Sequence, residues 1–146
     1  MTSHDRREFL RKSGMAIGAL AAGSVGLACA STGAPHMDVE ISGSVIRFDT
    51  AIPELANAGD GVVLESFLLE NPILLIRGGD GNFSALSTEC SHLGCTVKKE
   101  PSLIRCPCHE SAYDFEGRVL NGPAEIALRR YPVMTTGSII QIHLRP

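Results

Sequence analysis

Between Cys90 and Asp114 the chain carries two short boxes, CSHLGC (Cys90–Cys95) and CPCHES (Cys106–Ser111). Together they hold four of its five cysteines and two of its five histidines. Written as spacing, the array is C-x-H-x-x-C, ten residues, then C-x-C-H. Six soft or borderline donors in so short a stretch call for a metal. A tetrahedral zinc site uses four donors, commonly as two C-x-x-C pairs or as one C-x-x-C with a distant H-x-x-x-H. Neither pairing occurs here, and zinc would leave two cysteines over.

The donor order resembles that of the Rieske [2Fe–2S] proteins, and the likeness runs from about Val39 to the C-terminus, with the boxes its most specific part. The resemblance implies that Cys90 and Cys106 bind one iron and that His92 and His109 bind the other. It implies that Cys95 and Cys108 form a disulfide tying the two loops together. Ser111 and Tyr113 stand where high-potential members place hydrogen-bond donors to a bridging sulfide and to a ligand thiolate. Gly122-Pro123-Ala124 resembles the proline loop that covers the cluster, and Leu93 holds the place of a leucine exposed at the docking tip of quinol-oxidising members. One position departs from the pattern: Glu110 follows the second histidine, where glycine is common. A carboxylate there disfavours electron entry and holds protons on the imidazole more tightly.

The chemistry explains the residue types. Two ferric ions, two sulfides and two thiolates carry no net charge, whereas a four-thiolate cluster is a dianion. An electron enters the neutral centre more readily, and mixed Cys/His centres span ~−150 to +300 mV against ~−400 mV for plant-type ferredoxins. An imidazole on ferric iron loses its second proton more easily than one on ferrous iron, so reduction is expected to couple to protons.

The elements that must position these boxes are strands. Val39 to Phe48 is apolar at intervals and breaks at Ser42-Gly43, a bulge or hairpin corner. Val62 to Leu69 follows the turn Gly59-Asp60-Gly61. Pro72 to Arg77 is continuously apolar in its middle, as a strand buried on both faces would be. Gly78-Gly79-Asp80-Gly81 turns into Asn82 to Ser87. Ser102, Ile104 and Cys106 alternate with Leu103 and Arg105, a small strand delivering Cys106 to the centre. Ser138 to Leu144 alternates too, with Ile140, Ile142 and Leu144 on one face, and Gln141 and His143 on the outer one. No stretch of the head has a sustained helical period. The expected fold is all-β, a Rieske-type antiparallel β sandwich with a small inserted cluster-binding subdomain at about 88–124. That subdomain has little apolar content of its own, so cluster and disulfide would have to hold it together.

At 146 residues, with Lys plus Arg 13 and Asp plus Glu 16, the chain is one domain's worth and mildly acidic, which argues against nucleic-acid binding. From Ser31 onward there are 9 basic and 14 acidic residues, a net of −5. Residues 1–30 read as a targeting segment: DRREFLR (Asp5–Arg11) is close to a twin-arginine export motif, and Gly14 to Ala30 has no charge. Such export carries folded, cofactor-loaded protein to a compartment where a disulfide persists. Three outcomes stay open for the segment: retention as a membrane anchor, cleavage at Ala28-Cys29-Ala30, or lipid on Cys29. Residues 31–37 read as a polar linker with His36 solvated, and residues 38–146 as the head.

These readings imply a high-potential one-electron carrier facing the periplasm, an electron-transfer subunit and not a stand-alone enzyme. Its host would be a quinol–cytochrome c reductase, with a cytochrome b as donor and a c-type cytochrome as acceptor. The alternatives are the small subunit of a periplasmic molybdenum oxidase of the arsenite-oxidase type, with a molybdenum subunit as donor, or an orphan carrier.

Overall fold

The computed structural model describes residues 33–145, so the expectations for the N-terminal segment lie outside the described residues. In chain order the strands are β1 (His36–Asp38), β2 (Ile41–Ser42), β3 (Val45–Asp49), β4 (Gly61–Glu65), β5 (Ile73–Arg77), β6 (Phe83–Ser87) and β7 (Lys98–Lys99). They continue with β8 (Ile104–Arg105), β9 (Ala112–Tyr113), β10 (Val119–Asn121), β11 (Arg130–Tyr131), β12 (Val133–Thr136) and β13 (Ile139–His143). One 3-10 turn, Pro53–Leu55, plugs the core with Leu55. Among the described residues no helix is long and apolar enough to cross a membrane.

Three sheets result: β1-β4-β5-β6-β11, β12-β13-β3-β2, and the small β10-β9-β8-β7. The first is central, because its alternating side chains serve two cores. Val62, Leu64, Ile73, Leu75 and Ala85 meet Ile46, Ile140 and Ile142 of the second sheet. Val63, Leu74, Ile76 and Leu86 point the other way and meet Val97, Ile104, Tyr113, Ala124 and Leu128 around Cys90 and Cys106. The unbroken apolar run of β5 is thus buried on both faces, as its sequence requires. The small subdomain is not short of apolar support either. It borrows the back of the central sheet, which corrects the expectation that cluster and disulfide alone hold it.

Local chemistry sets the corners. Gly43, at φ +65°, takes the first position of the two-residue β2–β3 hairpin, where a side chain would be strained. β4 ends at Glu65, earlier than the apolar pattern of Val62 to Leu69 implies. Ser66–Leu69 closes a turn through Leu69 N–H to Ser66 O at 3.0 Å, leaving Phe67 94% exposed. At the end of the stretch read as linker, His36–Asp38 is a strand, the one parallel partner in the central sheet, paired with β4. His36 is exposed, but its Nδ1 lies 2.6 Å from Glu65 Oε1. His143, expected on the surface, is half-buried, because β13 is an inner strand between β12 and β3.

Candidate redox centre

Both boxes leave the ends of strands and fold by the same backbone rule. In the first, Cys90 N–H donates to Cys95 O at 2.8 Å, and Gly94 N–H donates back to Cys90 O at 2.9 Å. In the second, Cys106 N–H donates to Ser111 O at 2.8 Å, and Glu110 N–H donates to Cys106 O at 3.0 Å. The loop leaves the fourth residue after each leading cysteine left-handed, Gly94 at φ +76° and Glu110 at φ +61°. The same fold aims backbone N–H groups at each leading sulfur: those of His92 and Leu93 at Cys90, and those of Cys108 and His109 at Cys106. Two such donors favour a thiolate over a thiol. The loops are anchored from below, where Thr88 bonds Pro72 O through its N–H (3.1 Å) and its Oγ1 (3.0 Å).

The two loops meet face to face. Cys95 and Cys108 are joined as a disulfide, with their Cα atoms 6.5 Å apart, the pairing that the resemblance implies. Cys106 Sγ lies against this disulfide, the three sulfurs falling within 4.8 Å of one another. Two of those sulfurs are spent on each other, so the trio is not a ligand set. Among the described residues the free thiols are Cys90 and Cys106, 2% and 1% exposed and in contact with each other. Above them the His92 and His109 rings stand edge to face, centroids 4.9 Å apart. Thiols lie inside and imidazoles at the rim. His92 Nδ1 is buried and has no hydrogen-bond partner among the described residues. An orphaned buried nitrogen of this kind costs ~1–3 kcal/mol unless something binds it, and a metal centre between thiols and rings supplies that partner. The donor set therefore fits a [2Fe–2S] cluster with two sulfur and two nitrogen ligands from the protein.

The surroundings act on the two thiols in opposite directions. Burial pushes the Cys90 thiol up, but the Tyr113 hydroxyl, the two N–H groups and Cys106 outweigh it, and the thiol stands below its ordinary value. At Cys106 burial prevails and the thiol stands above it. Tyr113 is fully buried, delivered by β9, with its hydroxyl 3.2 Å from Cys90 Sγ. Ser111 is fully buried too, and its Oγ accepts the N–H of Ala124 at 3.0 Å, which ties the segment Gly122-Pro123-Ala124 to the second box. Among the described residues the Ser111 proton has no acceptor, so it is free to donate inward. The Gly122–Pro123 peptide is cis. Leu93, next to His92 in the chain, and Ile126, whose carbonyl accepts from Ser91, are 68% and 67% exposed.

The six cysteines and histidines singled out by their spacing, and the Ser111 and Tyr113 that the resemblance added, thus lie together. Sequence reasoning passes over Ser91, whose Oγ lies 3.0 Å from Tyr113 Oη and donates to Ile126 O at 2.6 Å. No pattern marks a serine between a cysteine and a histidine; only the folded chain shows its partners.

Glu110 occupies the left-handed position that Gly94 fills in the sister loop, and a side chain there costs roughly 1–2 kcal/mol. Its carboxylate is engaged by Arg105 at 3.3 Å, which also holds Glu100 at 2.9 Å. The guanidinium offsets the negative charge beside His109, so the carboxylate's pull against electron entry is weaker than the bare sequence implies. The ion pair is exposed and contributes little. Glu110→Gly is therefore expected to stabilise the protein by about 1 kcal/mol, a rise of a few degrees in Tm. A melting point no higher than the parent's would contradict the strain.

A family model of the Rieske [2Fe-2S] domain matches residues 50–132. The chain is 37% identical over 76 residues to the cytochrome b6-f complex iron-sulfur subunit 2 of Synechocystis sp., covering 49% of this chain and 42% of that protein. It is 41% identical over 86 residues to the cytochrome b6-f complex iron-sulfur subunit of Prochlorococcus marinus strain SARG, covering 54% and 47%. The chain thus spans less than half the length of these relatives. Among solved structures, a chain in the complex of reduced oxygenase and oxidized ferredoxin of carbazole 1,9a-dioxygenase superposes with a TM-score of 0.57 at 18% identity, covering 70% of this chain and 95% of that one. At that identity the likeness is one of fold.

Proposed function

The chain belongs to the Rieske [2Fe-2S] family, and from that premise we propose that it passes single electrons as the iron–sulfur component of a quinol-oxidising complex. When bound, the cluster supplies reversible one-electron storage at the raised potential of a mixed Cys/His centre. The observation that carries the reading is the pair of like-wired loops, with two buried thiols beneath two facing imidazoles. In this reading Cys90, Cys106, His92 and His109 are the ligands. Two backbone N–H groups stabilise each thiolate, and the disulfide keeps the loops in register. Tyr113 donates to Cys90 Sγ, and Ser111 donates its free proton inward. The rings sit at the rim, above the two thiols.

The relatives' names, cytochrome b6-f iron-sulfur subunits, favour a cytochrome b as electron donor over a molybdenum subunit. A c-type cytochrome as acceptor follows the same comparison. Leu93 and Ile126 are exposed apolar side chains, suited to a donor's quinol-binding surface. The twin-arginine-like start supports a head on the periplasmic side, carried there folded. Recovery of the native protein from cytoplasm alone, with Met1 intact, would overturn that placement.

Redox titration of the iron-loaded chain tests the function. A hydrogen bond to a charged acceptor is worth about 1.5–3 kcal/mol, and only the difference between redox states counts. Tyr113→Phe and Ser111→Ala are each expected to lower the midpoint by ~40–90 mV, at ~59 mV per tenfold for one electron. Midpoints within ~10 mV of the parent in both variants would mean that neither hydroxyl reaches a sulfur, and the high-potential reading would fall.

A further inference from the structure

We propose that Ser91 is a positioning residue that withholds part of the Tyr113 proton from the Cys90 sulfur, and so holds the midpoint potential below the value Tyr113 alone would set. The inference rests on the reading of Cys90 as a ligand thiolate and deepens it.

Ser91 has one hydroxyl proton, and it goes to the carbonyl oxygen of Ile126 at 2.6 Å. A carbonyl has no proton to give, so the direction of that bond is settled. With its own proton spent, Ser91 Oγ can only accept from the Tyr113 hydroxyl 3.0 Å away. Tyr113 Oη also lies 3.2 Å from Cys90 Sγ, and a ligand thiolate is an acceptor only. One phenolic proton therefore faces two acceptors. The sulfur carries the charge, and both acceptors stand within hydrogen-bond reach of the one proton. Cys90 thus receives less than a full hydrogen bond. Tyr113 is fully buried, so no bulk water competes for the proton, and the division is decided by these two atoms.

Three separate segments meet in this relay: the first box, β9 and the stretch beyond Pro123. The Ser91 bond to Ile126 also fastens the far end of that stretch, as Ser111 fastens its near end at Ala124. A purely structural serine would lose this fastening when replaced. It would not alter how strongly Tyr113 acts on the sulfur.

The test is a redox titration of the iron-loaded full chain carrying Ser91→Ala, Ser91→Val, Ser91→Thr or Tyr113→Phe, and the Ser91→Ala, Tyr113→Phe pair. Val and Thr have nearly the same shape, so comparing them separates the hydroxyl from its bulk. Ser91→Ala and Ser91→Val are expected to raise the midpoint. At the parent's midpoint, the ratio of reduced to oxidised protein should go from one to about three, which is ~30 mV. Ser91→Thr should restore the parent's value. Tyr113→Phe should lower the midpoint further in the Ser91→Ala background than in the parent. An unchanged or lowered midpoint in both Ala and Val variants would overturn the proposal, as would an equal Tyr113→Phe effect in both backgrounds. If Tyr113→Phe had no effect in either, the contact with Cys90 itself would be refuted, and the underlying reading with it.

Discussion

Alanine at His92 is expected to leave the chain folded and disulfide-bonded but without iron. With two bridging sulfides, each iron of a [2Fe–2S] centre takes two ligands from the protein, so removing one imidazole leaves an iron with a missing donor. Among the described residues no nearby side chain replaces it: the sulfurs of Cys95 and Cys108 are joined to each other, and His109 would already be used. His109→Ala should give the same loss and, because this ring is the more exposed one, should also open the centre to solvent. Iron and sulfide are expected to fall from about two of each per chain to near zero. The low-average-g spectrum of a reduced Cys/His centre should vanish with them. The two cores around the central sheet do not include either ring, so far-ultraviolet circular dichroism should remain that of the parent. One zinc per chain and no iron, in protein matured with iron available, would sink the assignment; so would an intact spectrum in either variant.

The second large effect concerns the disulfide. Cys95 and Cys108 stand 13 residues apart, and closing a loop of this size removes ~3 kcal/mol of chain entropy from the unfolded state. That is a large share of the ~5–15 kcal/mol that stabilises a typical domain. Cys95→Ser with Cys108→Ser is nonetheless expected to fold, because Ile104, Tyr113 and Leu128 pack on Leu74, Ile76 and Leu86 whether or not the bridge exists. The loss should appear as a lower denaturant midpoint. It should also appear as faster bleaching of the cluster, by up to about a hundredfold if the whole ~3 kcal/mol acts on loop opening. The Cys106 sulfur lies against the bridge, so the cluster is the first part to register its removal. A double variant with the parent's midpoint and the parent's cluster lifetime would show that packing alone sets the loop geometry.

Legibility differed from element to element for physical reasons. The boxes were plain because metal ligation demands particular side chains at fixed intervals, and β5 was plain because a strand covered on both faces must be apolar at every position. The pairs Ala112–Tyr113 and Arg130–Tyr131 are two-residue strands, too short for alternation to register. β1 lies in a polar stretch after Pro35 and is held by main-chain bonds to β4, including Val63 N–H to Pro35 O at 2.7 Å. Backbone pairing of that kind leaves no side-chain pattern. The burial of His143 depends on which strands flank β13, a matter of topology. The donors around Cys90 follow from loop closure, and Glu110 stood out as a departure from the family pattern before its φ of +61° explained the usual glycine.

The doubly covered central sheet has a consequence for motion. Amide hydrogens of β5 are paired to β4 on one side and β6 on the other, beneath side chains buried from above and below. They should exchange with solvent only when the whole domain opens. The cluster loops rest on this same strand pair, through Thr88 and Pro72 at its end. The base of the redox centre is therefore tied to strands that should open last among the described residues, while the loops above it keep their own local opening, restrained by the disulfide. Any looseness that docking requires must come from the outer rim, where Leu93 and Ile126 are free of the core.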